Sequence, residues 1–328
     1  MVWASYTLSG TDVVVSPLGV GTWAWGDKST WGMGGYDTAL TRATIKEAWE
    51  VSLDAGIGFF DTAEVYGRGE SERIIGELIT ADPGRAASVV LASKFMPFPW
   101  KLQVRGALLS SLRASLERLR VSSLDLYQIH GPISFRSHNV IADALADAHD
   151  AGLVKAVGVS NYSAGEMRAM GDALARRGMR LATNQIEYSL LRRRPETSGL
   201  LAACADMGVL PLAYSPIGQG RLGGKYDAAH PPPGKRNFGK YPMEQVDTMV
   251  AELRRIGDKH GGRAPSQVAL NWVMKKGVVP IPGAKNGRQA QQNAGAIGWS
   301  IDEEDLARLD AIARPGLRSV QSRFWQHG

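Results

Sequence analysis

Three stretches of the chain each end an apolar run on a titratable side chain. They are Phe59-Phe60-Asp61-Thr62-Ala63-Glu64-Val65-Tyr66-Gly67, Leu91-Ala92-Ser93-Lys94-Phe95 and Leu126-Tyr127-Gln128-Ile129-His130-Gly131. Asp61, Tyr66, Lys94 and His130 are the side chains so placed. A phenol held beside an ammonium and an imidazole is a proton donor, because a nearby cation favours the phenolate and draws the phenol's ordinary pKa of about 10 toward neutrality. Each residue alone has an ordinary structural reading: Asp61 as a cap, Lys94 as a surface charge, Tyr66 as packing, His130 as a satisfied histidine. Their joint position at the ends of successive apolar runs makes the chemical reading the stronger one.

The elements that must position these groups follow from the hydrophobic period. Short β-branched or apolar runs alternate with longer amphipathic stretches, the pattern of parallel βαβ units. The expected strands are 18–22, 58–61, 89–94, 124–130, 156–160, 181–187, 209–215 and 278–282, eight in all. Between them, Leu108, Leu112, Leu116 and Leu119 are spaced to form one helical face that can cover a sheet. The expected fold is therefore a (β/α)8 TIM barrel in one domain spanning residues 1–328, with the four polar residues on its carboxyl-terminal face. The turn-rich Ser9-Gly10-Thr11-Asp12 before Val13-Val14-Val15 predicts an N-terminal β-hairpin that plugs the other end. Glu303 to Ala313 and a tail ending Phe324-Trp325-Gln326-His327-Gly328 stand outside the eight-fold pattern, with extra C-terminal helix expected there. An open doubly wound sheet is the rival. Its formal support, Gly218-x-Gly220-x-x-Gly223, runs on to Pro231-Pro232-Pro233 rather than into a helix, so 216–242 is expected to form an irregular loop near a ligand.

Composition narrows the class further. Hydrophobic residues make up 44% of the 328 and charged residues 21%, ordinary values for a folded domain. The net charge of +6 comes from scattered basic residues, not from a face interleaved with aromatics, so no nucleic-acid partner is expected. Arg192-Arg193-Arg194 reads as a solvated loop before a helix near Thr197. Met1-Val2-Trp3-Ala4-Ser5-Tyr6 has no basic flank leading into an apolar core, and no later run is long and uncharged enough to span a bilayer. A cytoplasmic location without membrane contact is expected. The single cysteine, Cys204, forms no intrachain disulfide and reads as a small buried hydrophobe. The six histidines show no His-x-His pair, so no metal site is expected.

Several ordered motifs resemble an aldo-keto reductase over Tyr6 to about Ala313. They are Gly-Phe-Phe-Asp-Thr-Ala-Glu-Val-Tyr-Gly, Ser-Lys-Phe, Gln-Ile-His-Gly, Gly-Val-Ser-Asn-Tyr, Asn-Gln-Ile-Glu-Tyr-Ser, Ala-Tyr-Ser-Pro-Ile-Gly and Ile-Pro-Gly-Ala-Lys-Asn. The resemblance implies an NADPH-dependent reduction of aldehydes or ketones, with Tyr66 as acid, Lys94 paired with Asp61, and His130 on the carbonyl oxygen. It also implies that Ser160, Asn161 and Gln185 hold the nicotinamide carboxamide and that Tyr214 stacks on the ring. Phosphate contacts are expected after the seventh and eighth strands, at Ser215, Pro216, Ile217, Gly218, Gly220, Leu222 and Lys225, then Pro282, Gly283, Lys285, Asn286, Arg288 and Gln289. Lys285 and Arg288 suit the 2′-phosphate that separates NADPH from NADH, with Arg236 closing over it. Where many relatives carry Glu-Asn near the adenine, this chain has Gln292-Asn293.

The small-molecule carbonyl is expected among Trp23, Trp25, Trp31, Phe98, Trp100 and Ile133, with Phe135 nearby, a set that favours apolar carbonyls over sugar phosphates. Aliphatic aldehydes, aromatic aldehydes, dicarbonyls and pyridoxal all suit it. Gly21-Thr22-Trp23-Ala24-Trp25-Gly26-Asp27 and Ile281-Pro282-Gly283 resemble plant and cyanobacterial-type members that reduce pyridoxal. A nicotinamide-binding regulatory subunit of a membrane channel is the other reading, since such relatives can keep all four polar residues.

Overall fold

The computed structural model describes residues 4–28, 37–232, 243–313 and 325–328. Trp31 and Arg236 lie outside them.

Tyr6–Thr7 (β1) and Val14–Val15 (β2) pair antiparallel as the expected hairpin. Eight further strands follow: β3 (Gly19–Gly21), β4 (Phe59–Asp61), β5 (Val90–Phe95), β6 (Leu124–Ile129), β7 (Val154–Ser160), β8 (Leu181–Glu187), β9 (Leu210–Tyr214) and β10 (Val279–Pro280). They run parallel in sequence order, each beside the next. The two ends of this sheet meet where Gly21 N–H donates to Pro282 O at 3.0 Å and Gly21 bridges Gly283 in parallel sense. A side chain at Gly21 would stand 2.8 Å from Ile281 O, so the seam needs a glycine there. The sheet is thus a closed (β/α)8 barrel, and the open-sheet alternative is excluded.

Two-residue periodicity divides the side chains. Phe59, Ala92, Leu126, Ala156, Leu212 and Val279 form an inner cluster with Leu8, Val13 and Val15, so the hairpin covers the end of the barrel where the strands begin. Phe60, Leu91, Phe95, Tyr127, Ile129, Val157 and Val159 face outward into a larger core shared with the helices. In helix Val104–Leu119 the residues Leu108, Leu112, Leu116 and Leu119 are buried, as their spacing requires. Ser163 and Glu166 form a reciprocal capping box that starts helix Ala164–Ala175 directly after β7. Beyond the eight-fold pattern lies helix Glu303–Ile312.

Two local expectations differ from what is observed. The glycines of Gly218–Gly223 form a short 3₁₀ turn. Arg192 is buried rather than solvated, its guanidinium 3.1 Å from Glu187 Oε2. Arg193 pairs with Glu196 and Asp310 and lies over Trp272. Nearby carboxylates and an indole supply what water would have supplied, so Arg192 and Arg193 are structural. Cys204 is buried, and desolvation pushes its thiol up to about 12, as an inert apolar filler requires.

Candidate active site

Above the apolar floor of the barrel, inward positions turn polar. Asp61 ends β4, and its two oxygens collect three donors. Lys94 Nζ reaches Oδ2 at 2.6 Å, while Gln185 Nε2 and Gln128 Nε2 reach Oδ1 at 2.7 and 3.3 Å. Thr183 Oγ1 donates to Gln128 Oε1 at 3.2 Å and extends the layer to β8. Gly158 on β7 makes this possible, since a Cβ there would sit 2.0 Å from Thr183 Oγ1.

Tyr66 enters from the loop after β4. That loop is tied to β5: Glu64 N–H donates to Lys94 O, and Glu64 Oε1 accepts from Met96 N–H at 2.7 Å. The Tyr66 hydroxyl comes to 3.2 Å from Lys94 Nζ, which also donates to Thr62 O at 2.8 Å. The His130 ring meets the Tyr66 ring edge-on, centroids 5.6 Å apart, and His130 N–H donates to Phe95 O. Asp61, Tyr66, Lys94 and His130 therefore converge at the strands' carboxyl ends.

Their electrostatics depart from the expected softening of the phenol. Burial pushes the Tyr66 phenol well above its ordinary range, and the Asp61 carboxylate pushes it the same way. Lys94 does not reverse this, because its ammonium is closely paired with Asp61. Burial lowers the Lys94 ammonium itself, against the opposing pull of Asp61. Burial, and then Lys94, hold the His130 imidazole well below its usual value. At neutral pH the site thus presents a protonated phenol and an uncharged imidazole, a pair able to hydrogen-bond and protonate a developing oxyanion.

All of these groups but Lys94 open onto a cavity of about 780 Å³. Asp61, Tyr66, His130, Ser160, Asn161, Gln185, Tyr214, Ser215, Pro216, Ile217, Gly220, Lys225, Pro282, Gly283, Lys285, Arg288, Gln289, Gln292 and Asn293 all line it. Ser160 Oγ donates to Gln185 O at 2.9 Å, and the Tyr214 hydroxyl donates to Asn161 Oδ1 at 2.8 Å. Asn161 and Ser215 sit at strand ends with positive φ of 66° and 50°, strain of the kind that accumulates around ligand sites. Three expected cofactor contacts are displaced from the wall. Leu222 is wholly buried in the core, Gly218 is buried in its turn, and the Asn286 side chain caps helix Gly287–Ala294 through Gln289 N–H.

The expected substrate aromatics divide sharply. Trp23 lines the cavity, its ring 6.4 Å from that of Tyr66. Trp25 is fully buried and donates Nε1–H to Ala284 O at 2.7 Å, because one turn of helix Trp23–Gly26 points alternate indoles to opposite sides. Phe98 and Trp100 stack on each other at 4.5 Å outside the cavity, Trp100 with 72% of its surface exposed. Ile133 is half-buried and also off the wall, and Phe135 is exposed.

Other wall residues had no assigned role in the sequence: Thr22, Asp37, Val65, Gln219, Tyr226, Ser266, Ile281, Trp325 and Gln326. Trp325 meets His130 edge-on at 5.6 Å, and Gln326 Nε2 donates to the Tyr214 hydroxyl and to Glu187 Oε2, both at 2.7 Å. No local pattern announces the tail residues. Gln128, also unassigned, lies two residues before His130 on β6, and the strand period could have placed it on the same inner face.

The sequence profile described as "Aldo/keto reductase family" matches residues 17–314. The chain is 36% identical over 323 residues to the chloroplastic pyridoxal reductase of Arabidopsis thaliana, covering 95% of this chain and 87% of that protein. Among solved structures, the glycerol dehydrogenase of Gluconobacter oxydans aligns with TM-score 0.81 at 27% identity, over 98% of this chain and 99% of its own. An aldo/keto reductase from Klebsiella pneumoniae, solved with NADP and acetate, aligns with TM-score 0.71 at 27% identity over 94% of both chains. The chain belongs to the aldo/keto reductase family, and so to a family of oxidoreductases. No helix among the described residues is long and apolar enough to cross a membrane.

Proposed function

We propose that this protein reduces aldehydes and ketones to alcohols with NADPH, Tyr66 serving as the general acid. The observation that carries the reading is the Tyr66 hydroxyl, 3.2 Å from Lys94 Nζ, on the wall of the same cavity as His130. When bound, NADPH supplies the hydride, a group no side chain can donate. The donors and rings on the wall fit such a molecule. Ser160, Asn161 and Gln185 offer hydroxyl and amide groups to a carboxamide, Tyr214 offers a face to its ring, and Lys285 and Arg288 offer cations to phosphate.

The protein's own part is to place and move a proton. His130, held neutral, donates a hydrogen bond from its ring N–H to the substrate carbonyl oxygen and leaves the protonation to Tyr66. As the carbonyl becomes an alkoxide, Tyr66 gives it the phenolic proton. The phenolate left behind is stabilised by Lys94 Nζ–H, whose ammonium Asp61 keeps charged and aimed. Gln128 and Gln185 fix the Asp61 carboxylate and so hold the pair in register.

The substrate is an apolar, flat carbonyl compound, because Trp23 and Trp325 flank the Tyr66 and His130 rings at the cavity. Pyridoxal belongs to that class, and the likeness to a pyridoxal reductase supports its inclusion. The buried Cys204 thiol suits a reducing compartment, and we assign the cytoplasm. The test is a screen of aliphatic aldehydes, aromatic aldehydes, dicarbonyls and pyridoxal, followed by loss of reduced-nicotinamide absorbance. Turnover is expected, greatest with the aromatic aldehydes. NADPH binding without turnover on any carbonyl would overturn the enzymatic reading in favour of a regulatory nicotinamide-binding subunit.

A further inference from the structure

One cation on the cavity wall already has an anion of the protein's own. Lys285 Nζ lies 2.8 Å from Asp37 Oδ2, and both residues line the cavity. Asp37 follows β3 in the chain and Lys285 follows β10, so the pair crosses the seam where the barrel closes. Its side chains retain only 30% and 15% of their surface, so the two charges meet in a partly dry setting where screening is weak. Both partners are held in place. Asp37 Oδ1 accepts from Ala39 N–H at 3.1 Å, and Lys285 N–H donates to Gln289 Oε1 at 2.9 Å.

We propose that Asp37 is a specificity-determining residue for the cofactor, its carboxylate competing with the 2′-phosphate for Lys285. The inference rests on the reading of Lys285 as a phosphate ligand. A phosphate arriving at Lys285 meets a carboxylate at hydrogen-bond distance from the same ammonium. It must then displace that carboxylate or accept its repulsion. NADH carries no 2′-phosphate and leaves the pair intact. Asp37 therefore weakens NADPH and leaves NADH nearly untouched, narrowing the preference that Lys285 and Arg288 create. Because the opposing charge belongs to the protein, it also favours release of the spent, phosphate-bearing cofactor.

Asp37→Asn tests this cleanly, since the amide oxygen can still accept from Ala39 N–H while the charge is gone. The full chain and its D37N and K285A variants would be titrated with NADPH and with NADH by fluorescence at one ionic strength, with thermal melts to establish folding. For D37N the NADPH dissociation constant should fall about five-fold, the order expected for releasing one partly exposed ion pair, with NADH changed less than about two-fold. K285A should weaken NADPH about ten-fold and spare NADH. An unchanged or lower NADPH preference in D37N overturns the proposal while leaving the reductase assignment standing. Normal NADPH binding by K285A overturns it too, by placing the phosphate elsewhere. If the wild type binds neither nucleotide, the functional reading falls as well.

Discussion

In the proposed mechanism Tyr66 acts as a phenol that keeps its proton at neutral pH, not as one acidified by Lys94. Burial and the Asp61 carboxylate both raise its pKa, and the ammonium beside it, Lys94, lies 2.6 Å from that same carboxylate. The phenol parts with its proton only when an alkoxide, a far stronger base than water, forms beside it. Tyr66→Phe should lower the rate of carbonyl reduction by about 10²-fold or more while changing NADPH affinity less than about two-fold, read by steady-state rates and fluorescence titration. Undiminished turnover would remove Tyr66 from the mechanism. The pH profile carries a sign. An acid must be protonated to act, and a raised pKa moves loss of that proton upward. The reduction rate should then show no falling limb from Tyr66 between about pH 7 and about pH 9. A limb near neutrality that disappears in the Phe variant would show that the phenol is softened in the working complex.

Among the strands, β6, β7 and β8 carry the support for the acid. Inward positions two residues apart line up as Gln128 with His130, Gly158 with Ser160, and Thr183 with Gln185. The register shifts between Val157 and Gly158, which brings Thr183 into the space a side chain at 158 would fill. Gly158→Ala should therefore cost about 1–3 kcal/mol of stability by overpacking, seen as a lower Tm, and should slow reduction by disturbing Gln128 and so Asp61. An unshifted Tm would show that Thr183 yields without cost. The strands themselves were legible to within about two residues at each end, since β-branched and apolar runs between polar segments have few other uses. The inner polar layer was legible only at its ends, because an amide such as Gln128 carries no signal apart from its strand parity.

At the scale of the whole molecule, the site is completed by residues remote in sequence. Trp325 packs against His130, Gln326 ties the Tyr214 hydroxyl to Glu187, and Arg192 bonds Gln326 Oε1 at 2.5 Å. His327 adds a backbone hydrogen bond to Asn161 O at 3.1 Å and a side-chain contact with Glu166. Trp325→Ala should raise KM for aromatic aldehydes about ten-fold through loss of one aromatic wall, while NADPH affinity stays within about two-fold. An unchanged KM would place the substrate away from the tail. What the amino-acid order determined by itself is whatever local spacing can encode: eight strands, their covering helices, the plugging hairpin, and the arrival of Asp61, Tyr66, Lys94 and His130 at strand ends. Tertiary structure alone decided that burial raises the Tyr66 pKa, that Trp23 and not Trp25 faces the cavity, that Asp37 meets Lys285, and that the tail packs beside His130 and Tyr214. Those outcomes depend on contacts between distant segments and on the burial they create, and neither is written in the spacing of neighbouring residues.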